Sequence, residues 1–387
     1  MDPGHTVLPS VLFLNWRDTG HPDGGGSEVY LETVADGLAQ LGYPTTIFTA
    51  AYPGAARHEL RPSGARVVRC GGRLSVYPWA ASEFWRGRLG RPQVVVEAQN
   101  GIPFLSRLWA RRSAGIVLVH HVHREQWRVV LGPVQARIGW WLESRVAPRI
   151  NRGSQYVAVS HVTRRELAEL GVRESDIQVV HNGTSPRPPV PVSRAARPTL
   201  LALGRLVPHK RVEMAIDAVA ELVPEFPDLQ LIVAGRGWWS AELARYVARR
   251  GLADHVQLVG FVSPERRHEL YAQSWVSLVP SLKEGWGLTV VEAGVHATPT
   301  VAFRSAGGVA ESIVDGHTGL LADDQASFVT HVRNLLCDHA MREQLGSNAE
   351  RYARQFIWEQ TIADFAALIN KLADSPDAAV RLDQRAP

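Results

Sequence analysis

Two glutamates lie on either side of a glycine turn in the segment KEGWGLTVVEAG, residues 283–294. Glu284 precedes the Gly-Trp-Gly turn, and Glu292 lies more than one turn inside the helix that we predict to start near Gly287. Carboxylate oxygens accept hydrogen bonds from hydroxyl groups, and a sugar or a ribose presents such groups in adjacent pairs. The spacing therefore predicts that both carboxylates face one polyhydroxylated ligand over the helix N-terminus. The alternative is a pair of solvated surface glutamates.

A second segment, GRLVPHKR at 204–211, places two cations on a loop between a predicted strand and a predicted helix. Arg205 and Lys210 would neutralise a diphosphate without a metal ion, because fixed cations form charge-assisted hydrogen bonds with phosphate oxygens. The sequence contains no D-x-D pair, which makes a diphosphate bridged by Mg²⁺ less favoured. A charged surface loop is the alternative interpretation of this segment.

The segment DGGGSE at 23–28 follows the first predicted strand and opens the first predicted helix. Glycines at a helix N-terminus let backbone N–H groups approach an anion. The spacing does not fit G-x-G-x-x-G, and the second strand, TTIFTA at 45–50, ends without an acid. An NAD-dependent enzyme is therefore disfavoured, although a plain tight turn remains possible.

Three histidines lie at the end of another strand, in GIVLVHHVHRE at 115–125. His121 and His123 would share a face if the strand continued, so a metal site is conceivable, but no companion acid or cysteine cluster supports one. We favour a single imidazole that exchanges a hydrogen bond with a polar ligand, with one or two of the histidines structural.

Strand-like and helix-like segments alternate twice along the chain. The first series of strands is followed by the Pro- and Ser-rich segment 183–198, which we interpret as a linker. The second series begins at 199–204 and includes a helix whose predicted buried stripe is Leu288, Val291 and Val295. This alternation predicts an α/β fold with two doubly wound, Rossmann-like domains that face a cleft, and ligands at the carboxyl ends of the strands.

The composition indicates a globular protein without a membrane span or a secretory signal. Of the 387 residues, 45% are hydrophobic and 21% are charged. No apolar run approaches the roughly 18 residues needed to cross a bilayer, and the N-terminus lacks a basic region. Cys70 and Cys337 are too few for a disulfide framework, so we expect two core thiols in a cytoplasmic protein.

Positive charge is concentrated in residues 86–152, which contain 12 Arg and 3 acids. Six of the 12 tryptophans lie in or beside this stretch: Trp79, Trp85, Trp109, Trp127, Trp140 and Trp141. Arginine interleaved with tryptophan suits an anionic membrane surface or an anionic substrate, and we expect no nucleic-acid partner. A solvated basic face over core tryptophans explains the pattern equally well.

Together these segments resemble the family 4 retaining glycosyltransferases with the GT-B fold. The resemblance is strongest between 199 and 321, and it rests mainly on SLKEGWGLTVVEAGVHATPTVAFRSAGGVAESIVDGHTGLL at 281–321. Trp286 departs mildly from the phenylalanine that is usual in the family. Before 182 the likeness rests on the glycine loop and the strand-end histidine.

The resemblance implies a nucleotide-sugar donor, no cofactor and no metal. Glu292 would hold the ribose hydroxyls of the donor, and Glu284 would contact the transferred sugar. The leaving diphosphate would be stabilised by Arg205 and Lys210. Other contacts to the donor would come from backbone groups of Gly25, Gly26, Gly287, Leu288 and Thr289.

The resemblance matches the active-site histidine of the family to His121, with His120, one residue earlier, as the alternative. Residues 1–182, with a C-terminal helix at about 359–375, would form the acceptor-binding domain. Residues 199–358 would bind the nucleotide sugar. The retaining mechanism implied is a same-face displacement in which the departing diphosphate helps to deprotonate the acceptor hydroxyl.

Three other functions remain as alternatives: a hydrolase that uses Glu284 and Glu292 as an acid/base pair, a sugar-nucleotide epimerase of the same fold, and a non-catalytic nucleotide-sugar binder. The hydrolase leaves the cations without a role. The expected acceptor is a hydroxyl group on a lipid-linked or cell-envelope glycan, reached at the inner face of the membrane through 124–150.

Overall fold

The backbone forms two α/β units, each built around its own sheet. The computed structural model describes residues 8–22, 24–124, 126–188 and 192–374, without the side chains of 128 and 130. Unit 1 contains the described residues of 8–127, 131–183 and 358–374, and unit 2 contains 128–130 and 184–357.

The strands of both units are short and almost all parallel. In chain order they are β1 (Val11–Leu14), β2 (Thr45–Thr49), β3 (His58–Leu60), β4 (Arg66–Arg69), β5 (Val94–Ala98), β6 (Ala114–Val119), β7 (Gln155–Ala158), β8 (Ile177–Val179), β9 (Thr199–Leu203), β10 (Gln230–Ala234), β11 (Val256–Gly260), β12 (Val276–Val279), β13 (Thr300–Phe303) and β14 (Gly319–Ala322). The sheet of unit 1 has the order β3-β4-β2-β1-β5-β6-β7-β8, and that of unit 2 has β11-β10-β9-β12-β13-β14.

Helices connect the strands and cover the sheets. They are α1 (Gly26–Gln40), α2 (Val76–Trp85), α3 (Ser106–Trp109), α4 (Gln126–Val130), α5 (Pro133–Trp141), α6 (Ala147–Ile150), α7 (His161–Glu169), α8 (Val212–Leu222), α9 (Ser240–Arg249), α10 (Pro264–Gln273), α11 (Leu288–Val295), α12 (Val309–Ser312), α13 (Gln325–Cys337), α14 (His339–Ala353) and α15 (Trp358–Ala373). A π-helical turn, Leu142–Val146, joins α5 to α6.

Burial explains why the strands read as apolar runs in the sequence. All four residues of β1 and all five of β5 are buried, as expected for central strands of a parallel sheet with both faces covered. In unit 2 the corresponding core includes Leu200, Leu231 and Val276, none of which is exposed to solvent. The predicted fold class is confirmed in both units.

Helix α15 packs on α1 within unit 1. A Cβ added at Gly37 of α1 would lie 2.3 Å from Cδ1 of Ile362, so the two backbones approach closely at this glycine. Tyr30 of α1 meets Phe365 edge to face at 6.0 Å between ring centroids. The Tyr43 hydroxyl donates a hydrogen bond to Asn370 at 3.1 Å.

Several features differ from the sequence-based expectations. Strand β3 is fully exposed and pairs antiparallel with β4, and neither strand was predicted, nor were β14, α13 and α14. Cys70 is buried as expected, but Cys337 is exposed because it ends α13 at the surface. The prediction of a core thiol at Cys337 was therefore wrong.

Candidate active site

Arg205 and Lys210 lie at the carboxyl end of β9, as the loop pattern predicted. Gly204 leaves the strand with a φ of 155°, and a 3₁₀ turn over Pro208–Lys210 then carries the chain towards α8. Both cationic side chains are half-buried and line one small cavity with Glu284 and Thr289. The structure therefore brings four of the predicted site residues together at one edge of the sheet in unit 2.

Lys210 forms an ion pair with Glu284 inside this cavity. The hydroxyl of Ser281 donates a second hydrogen bond to the same carboxylate, 2.7 Å from Oε1. The side chains of Lys210 and Glu284 retain only 21% and 15% of their exposure. The carboxylate is thus fixed in position by two donors while part of it remains accessible to a ligand.

The environment keeps Glu284 ionised. Burial by itself raises the pKa of a carboxyl group, but the charge of Lys210 and the hydrogen bonds from Lys210 and Ser281 outweigh burial here. The pKa of Glu284 is therefore lowered below its ordinary value. An ionised carboxylate at neutral pH is an acceptor for sugar hydroxyl groups.

Glu292 has different partners from Glu284. Tyr271 donates its hydroxyl to Oε2 at 3.0 Å, and Arg267 lies 3.1 Å from Oε1. Burial raises the pKa of Glu292, while Arg267 and Tyr271 act in the opposite direction without cancelling the effect. The two glutamates therefore have separate partners: Glu284 is held by Lys210 from the loop after β9 and by Ser281 after β12, and Glu292 is held by two residues of α10.

Helix α11 starts where the glycine turn ends. Gly287 is the N-cap with a φ of 91°, in the left-handed region that L-residues seldom adopt, so the turn requires glycine. The first N–H groups of a helix have no intrahelical partner, and those of Leu288 and Thr289 belong to this first turn. Thr289 also lines the cavity of the two cations.

The buried side of α11 differs in part from the predicted stripe. Val291 is buried, but Leu288 and Val295 are half-buried, and the remaining buried positions are Val290, Ala293 and Gly294. Helix α14 packs against α11, and a Cβ at Gly294 would lie 3.0 Å from the carbonyl oxygen of Ala349. The contact with α14 explains the difference, because it buries a side of α11 that packing on the sheet alone would leave exposed.

A tight backbone contact holds the turn before α11. The N–H of Glu284 donates to the carbonyl oxygen of Ala306 at 2.9 Å, and the N–H of Gly308 donates to the carbonyl oxygen of Glu284 at 2.9 Å. A Cβ at Gly308 would lie 1.8 Å from the carbonyl oxygen of Gly285. The segment 306–308 therefore holds the backbone of Glu284 in place, and the position of the Glu284 carboxylate depends on that backbone.

In unit 1 the glycine loop leads into α1, with Gly25 as the N-cap and Gly26 as the first helical residue. The N–H of Gly25 donates to Oε2 of the buried Glu28 at 2.7 Å, and Arg17 contacts the same carboxylate at 2.9 Å. The carboxylate of Glu28 thus accepts the hydrogen bond from the N–H of Gly25. The anion-binding prediction did not anticipate this internal partner. The anion-binding roles of Gly25 and Gly26 stay predictions.

The three histidines of unit 1 have distinct environments. His120 is buried against Tyr30, at 5.3 Å between ring centroids, and burial lowers its pKa to about 4. His121 is half-buried, and its Nε2 lies 2.8 Å from Oε1 of Gln126. His123 contacts the buried Glu143 through Nδ1 at 2.9 Å. His121 is therefore more accessible to a ligand than the buried His120, and His123 has a structural partner.

Apart from Lys210, sequence reasoning missed the side chains that hold the two glutamates: Ser281, Arg267 and Tyr271. Ser281 lies three positions before Glu284, and a serine in that position was a usable signal. Arg267 and Tyr271 are four residues apart on α10, a spacing that places them on one side of a helix, but nothing local connects them to Glu292.

Comparison with known proteins supports the resemblance along almost the whole chain. Residues 24–187 match Glycosyltransferase Family 4, and residues 188–352 match Glycosyl transferases group 1. The two matches are contiguous. The chain belongs to the family 4 glycosyltransferases.

Two relatives that match over most of their length are named as a glycosyltransferase and a mannosyltransferase. It is 28% identical over 414 residues to D-inositol 3-phosphate glycosyltransferase 2 of Catenulispora acidiphila, covering 95% of each chain. It is 29% identical over 378 residues to the GDP-mannose-dependent alpha-(1-6)-phosphatidylinositol monomannoside mannosyltransferase of Mycolicibacterium smegmatis, covering 90% of this chain and 96% of the relative.

The fold agrees with solved GT-B structures. The sucrose-phosphate synthase of Thermosynechococcus elongatus superposes with a TM-score of 0.81 and 20% identity, covering 94% of this chain and 99% of the other. Among the residues that the structure describes, no helix has the length and hydrophobicity needed to span a bilayer.

Proposed function

We propose that this glycosyltransferase moves a hexose-type sugar from a nucleotide-diphosphate sugar to a hydroxyl acceptor, with retention of the anomeric configuration and without a metal. The observation that carries the proposal is the cluster of Arg205, Lys210, Glu284 and Thr289 beside the first turn of α11. Two cations, a helix N-terminus and an ionised carboxylate together suit a diphosphate attached to a sugar.

Each group has a role in binding the donor. Arg205 and Lys210 neutralise the diphosphate, and the N–H groups of Gly287, Leu288 and Thr289 offer hydrogen bonds to its oxygens. Glu284 accepts hydrogen bonds from hydroxyl groups of the transferred sugar, and Glu292 accepts them from the ribose. Lys210 exchanges part of its contact with Glu284 for the diphosphate when the donor binds.

The transfer breaks the bond between the anomeric carbon and the diphosphate oxygen and forms a bond from that carbon to the acceptor oxygen on the same face. The acceptor proton passes to the departing diphosphate. Negative charge grows on the diphosphate during this step, so Arg205 and Lys210 bind it more strongly in the transition state than in the ground state. The resemblance also implies donor contacts for Gly25 and Gly26 and an active-site role for His121, and these roles stay predictions.

The acceptor that we propose is a lipid-linked or cell-envelope glycan reached at the inner face of the membrane. The relative from Mycolicibacterium smegmatis is named for GDP-mannose and for a phosphatidylinositol mannoside, an anionic lipid acceptor. In this chain the excess of arginine in 86–152 supports an acceptor of similar charge. A cytoplasmic location, with peripheral attachment to the membrane, follows from that acceptor.

Transfer to a membrane-lipid extract tests the proposal. The protein is incubated with radiolabelled UDP-, GDP-, ADP- and dTDP-sugars and the extract in EDTA, and the product is examined by NMR at the anomeric proton. We expect label in the lipid with the anomeric configuration of the donor, and none with Lys210→Met. An inverted product would refute retention, and a requirement for added metal would refute a metal-independent reaction. Interconversion of the nucleotide sugars without an acceptor would refute transfer and indicate an epimerase.

A further inference from the structure

Residues 133–152 of unit 1, here called the docking helix, have an inner side that packs and an outer side that does not. They comprise α5, the π turn, α6 and the two residues that follow. On the inner side, a Cβ at Gly139 would lie 2.7 Å from the Trp127 ring. The buried Glu143 accepts hydrogen bonds from the indole of Trp127 and the N–H of His123. These contacts fix which side faces outwards.

The outer side begins with apolar residues and ends with arginines. Val134, Ile138 and Trp141 are 69%, 54% and 57% exposed, and their spacing of four and three places them on one side. The exposed side continues through three arginines: Arg145, Arg149 and Arg152. Exposed apolar side chains and cationic side chains both strengthen binding to an anionic bilayer, and this side of the docking helix presents the two kinds in succession.

The arginine half borders a cavity of about 720 Å³. Four arginines line it: Arg145, Arg149, Arg152 and Arg173. Asp176 is the carboxylate among its lining residues, and it pairs with Arg173 at 2.8 Å. The lining therefore carries an excess of positive charge in a space large enough for a lipid headgroup.

This cavity lies at the opposite edge of the sheet from the predicted site residues of unit 1. Gly153 and Asp176 line it just before β7 and β8 begin, so it is at the amino ends of those strands. The glycine loop follows the carboxyl end of β1, and His121 follows that of β6. The cavity is therefore not part of the candidate active site.

Within residues 86–152, the exposed charge that the structure describes has one sign, whereas outside this stretch Glu166 and Glu169 share a cavity with Arg124 and Arg145. Glu97 is 0% and Glu143 is 1% exposed, so neither offsets the arginines at the surface. Ten arginines of this stretch are exposed: Arg86, Arg88, Arg91, Arg111, Arg112, Arg124, Arg137, Arg145, Arg149 and Arg152. A surface of this kind attracts anions and repels cations over about one Debye length.

We propose that the docking helix binds the surface of an anionic bilayer. Val134, Ile138 and Trp141 enter the apolar boundary, and the arginine cavity receives phosphate groups of anionic headgroups. This inference rests on the proposed function for the location of the acceptor, but the binding itself requires neither donor nor transfer.

Sedimentation with vesicles tests the proposal. Vesicles of neutral phosphatidylcholine, with and without one-third phosphatidylglycerol, are mixed with the full chain and with three variants. The first is Arg145→Ala/Arg149→Ala/Arg152→Ala, and the second is Val134→Ser/Ile138→Ser/Trp141→Ser. The control is Arg245→Ala/Arg249→Ala/Arg354→Ala, which removes the same charge from exposed positions of unit 2.

We expect binding to the anionic vesicles only, weakened by salt. Since each arginine near an anionic surface contributes roughly a fivefold gain, the first variant should lose roughly 100-fold in partitioning. The serine variant should bind the anionic vesicles more weakly than the wild type at both low and high salt, and the control should stay within about twofold of the wild type. Equal binding to neutral vesicles, an unaffected arginine variant, or displacement by millimolar glycerol phosphate would overturn the proposal.

Nucleotide-sugar binding, measured in the same samples without vesicles, separates this inference from the proposed function. We expect the arginine variant to keep its donor affinity. Failure to bind vesicles with donor binding intact rejects the docking surface alone. Failure to bind any nucleotide sugar with vesicle binding intact rejects the proposed function alone.

Discussion

At the residue scale, the ion pair of Lys210 with Glu284 is the feature on which the candidate site depends most. Removal of one partner from a buried pair leaves an uncompensated charge, which costs roughly 3–5 kcal/mol when burial is complete. These side chains keep 21% and 15% of their exposure, so solvent reduces the expected cost to about 1–3 kcal/mol.

The first prediction concerns Lys210→Met at different pH values. Above the pKa of Glu284 the variant should lose about 1–3 kcal/mol of unfolding free energy. Without Lys210, burial raises the pKa of Glu284, so the carboxyl takes up a proton at higher pH and the loss shrinks as pH falls. Urea denaturation between pH 4 and 8 measures this effect.

Two further variants serve as controls. Lys210→Met/Glu284→Gln should recover much of the loss, because no charge is then left unpaired. Lys371→Met, at an exposed position on α15, should change little at any pH. A loss that does not vary with pH, or a double variant no more stable than the single one, would show that the pair is not coupled as described.

The second prediction concerns His120, whose burial lowers its pKa to about 4 from an ordinary value near 6.5. Between these values the unfolded chain binds a proton that the folded chain does not, so stability falls as pH falls from about 6.5 to about 4. The full contribution is on the order of 3 kcal/mol. His120→Gln should flatten the pH dependence of stability in this window, as followed by urea midpoints.

The comparison variant for His120 is His339→Gln, which changes an exposed histidine on α14. It should leave the slope between pH 4 and 6.5 unchanged. A slope as steep in His120→Gln as in the wild type would mean that the buried imidazole does not set the acid sensitivity of unit 1.

At the element scale, the turn before α11 depends on close backbone approach to the glycine pair 307–308. Our third prediction is that Gly308→Ala destabilises unit 2 by about 1–3 kcal/mol or more, because its Cβ would lie 1.8 Å from the carbonyl oxygen of Gly285. Gly132→Ala is the matched control, since Gly132 has the same φ of −61° and no heavy atom within 4 Å of an added Cβ.

Thermal unfolding and donor affinity together measure the effect of Gly308→Ala. The variant should also weaken donor binding, since the displaced turn carries Glu284. Gly132→Ala should match the wild type within about 0.5 kcal/mol. A Gly308→Ala protein of unchanged stability would mean that the turn adapts to the added methyl group.

Element by element, the sequence was most informative where strands are fully buried. The apolar runs at 11–16, 94–99 and 199–204 predict strands, and the structure places β1, β5 and β9 there within one or two residues. β3 escaped prediction because all three of its residues are exposed and no apolar pattern marks it. The exposed end of α13 at Cys337 likewise depends on where the helix stops, which a lone cysteine does not indicate.

The candidate site was predictable only in its locally encoded part. The turn glycines and the two glutamates share one segment, so their spacing predicted that they flank the start of α11. The partners of the glutamates come from other elements, for example Lys210, which is 74 residues from Glu284 along the chain. Such pairs follow from strand order, which brings β9 beside β12, and local periodicity does not contain that information.

At the scale of the whole molecule, the charge distribution separates two roles. Apart from residues 128–130, the arginine-rich stretch 86–152 lies in unit 1, whereas the cavity with Arg205, Lys210 and Glu284 lies in unit 2. Donor binding and membrane docking should therefore respond to different variants and to salt in different ways. The relatives that match nearly the full length show that both units belong to one enzyme class.

The measurement that tests the central claim most directly is a thermal-shift panel of UDP-, GDP-, ADP- and dTDP-sugars without added metal. A donor at 100 times its Kd should stabilise the protein by roughly 2.7 kcal/mol. We predict a clear shift with one nucleotide class, lost in Glu292→Ala and in Arg205→Ala but kept in Glu221→Ala, which changes an exposed glutamate on α8. No shift with any nucleotide sugar, or a shift unaffected by Glu292→Ala and Arg205→Ala, would contradict the assignment of the donor site.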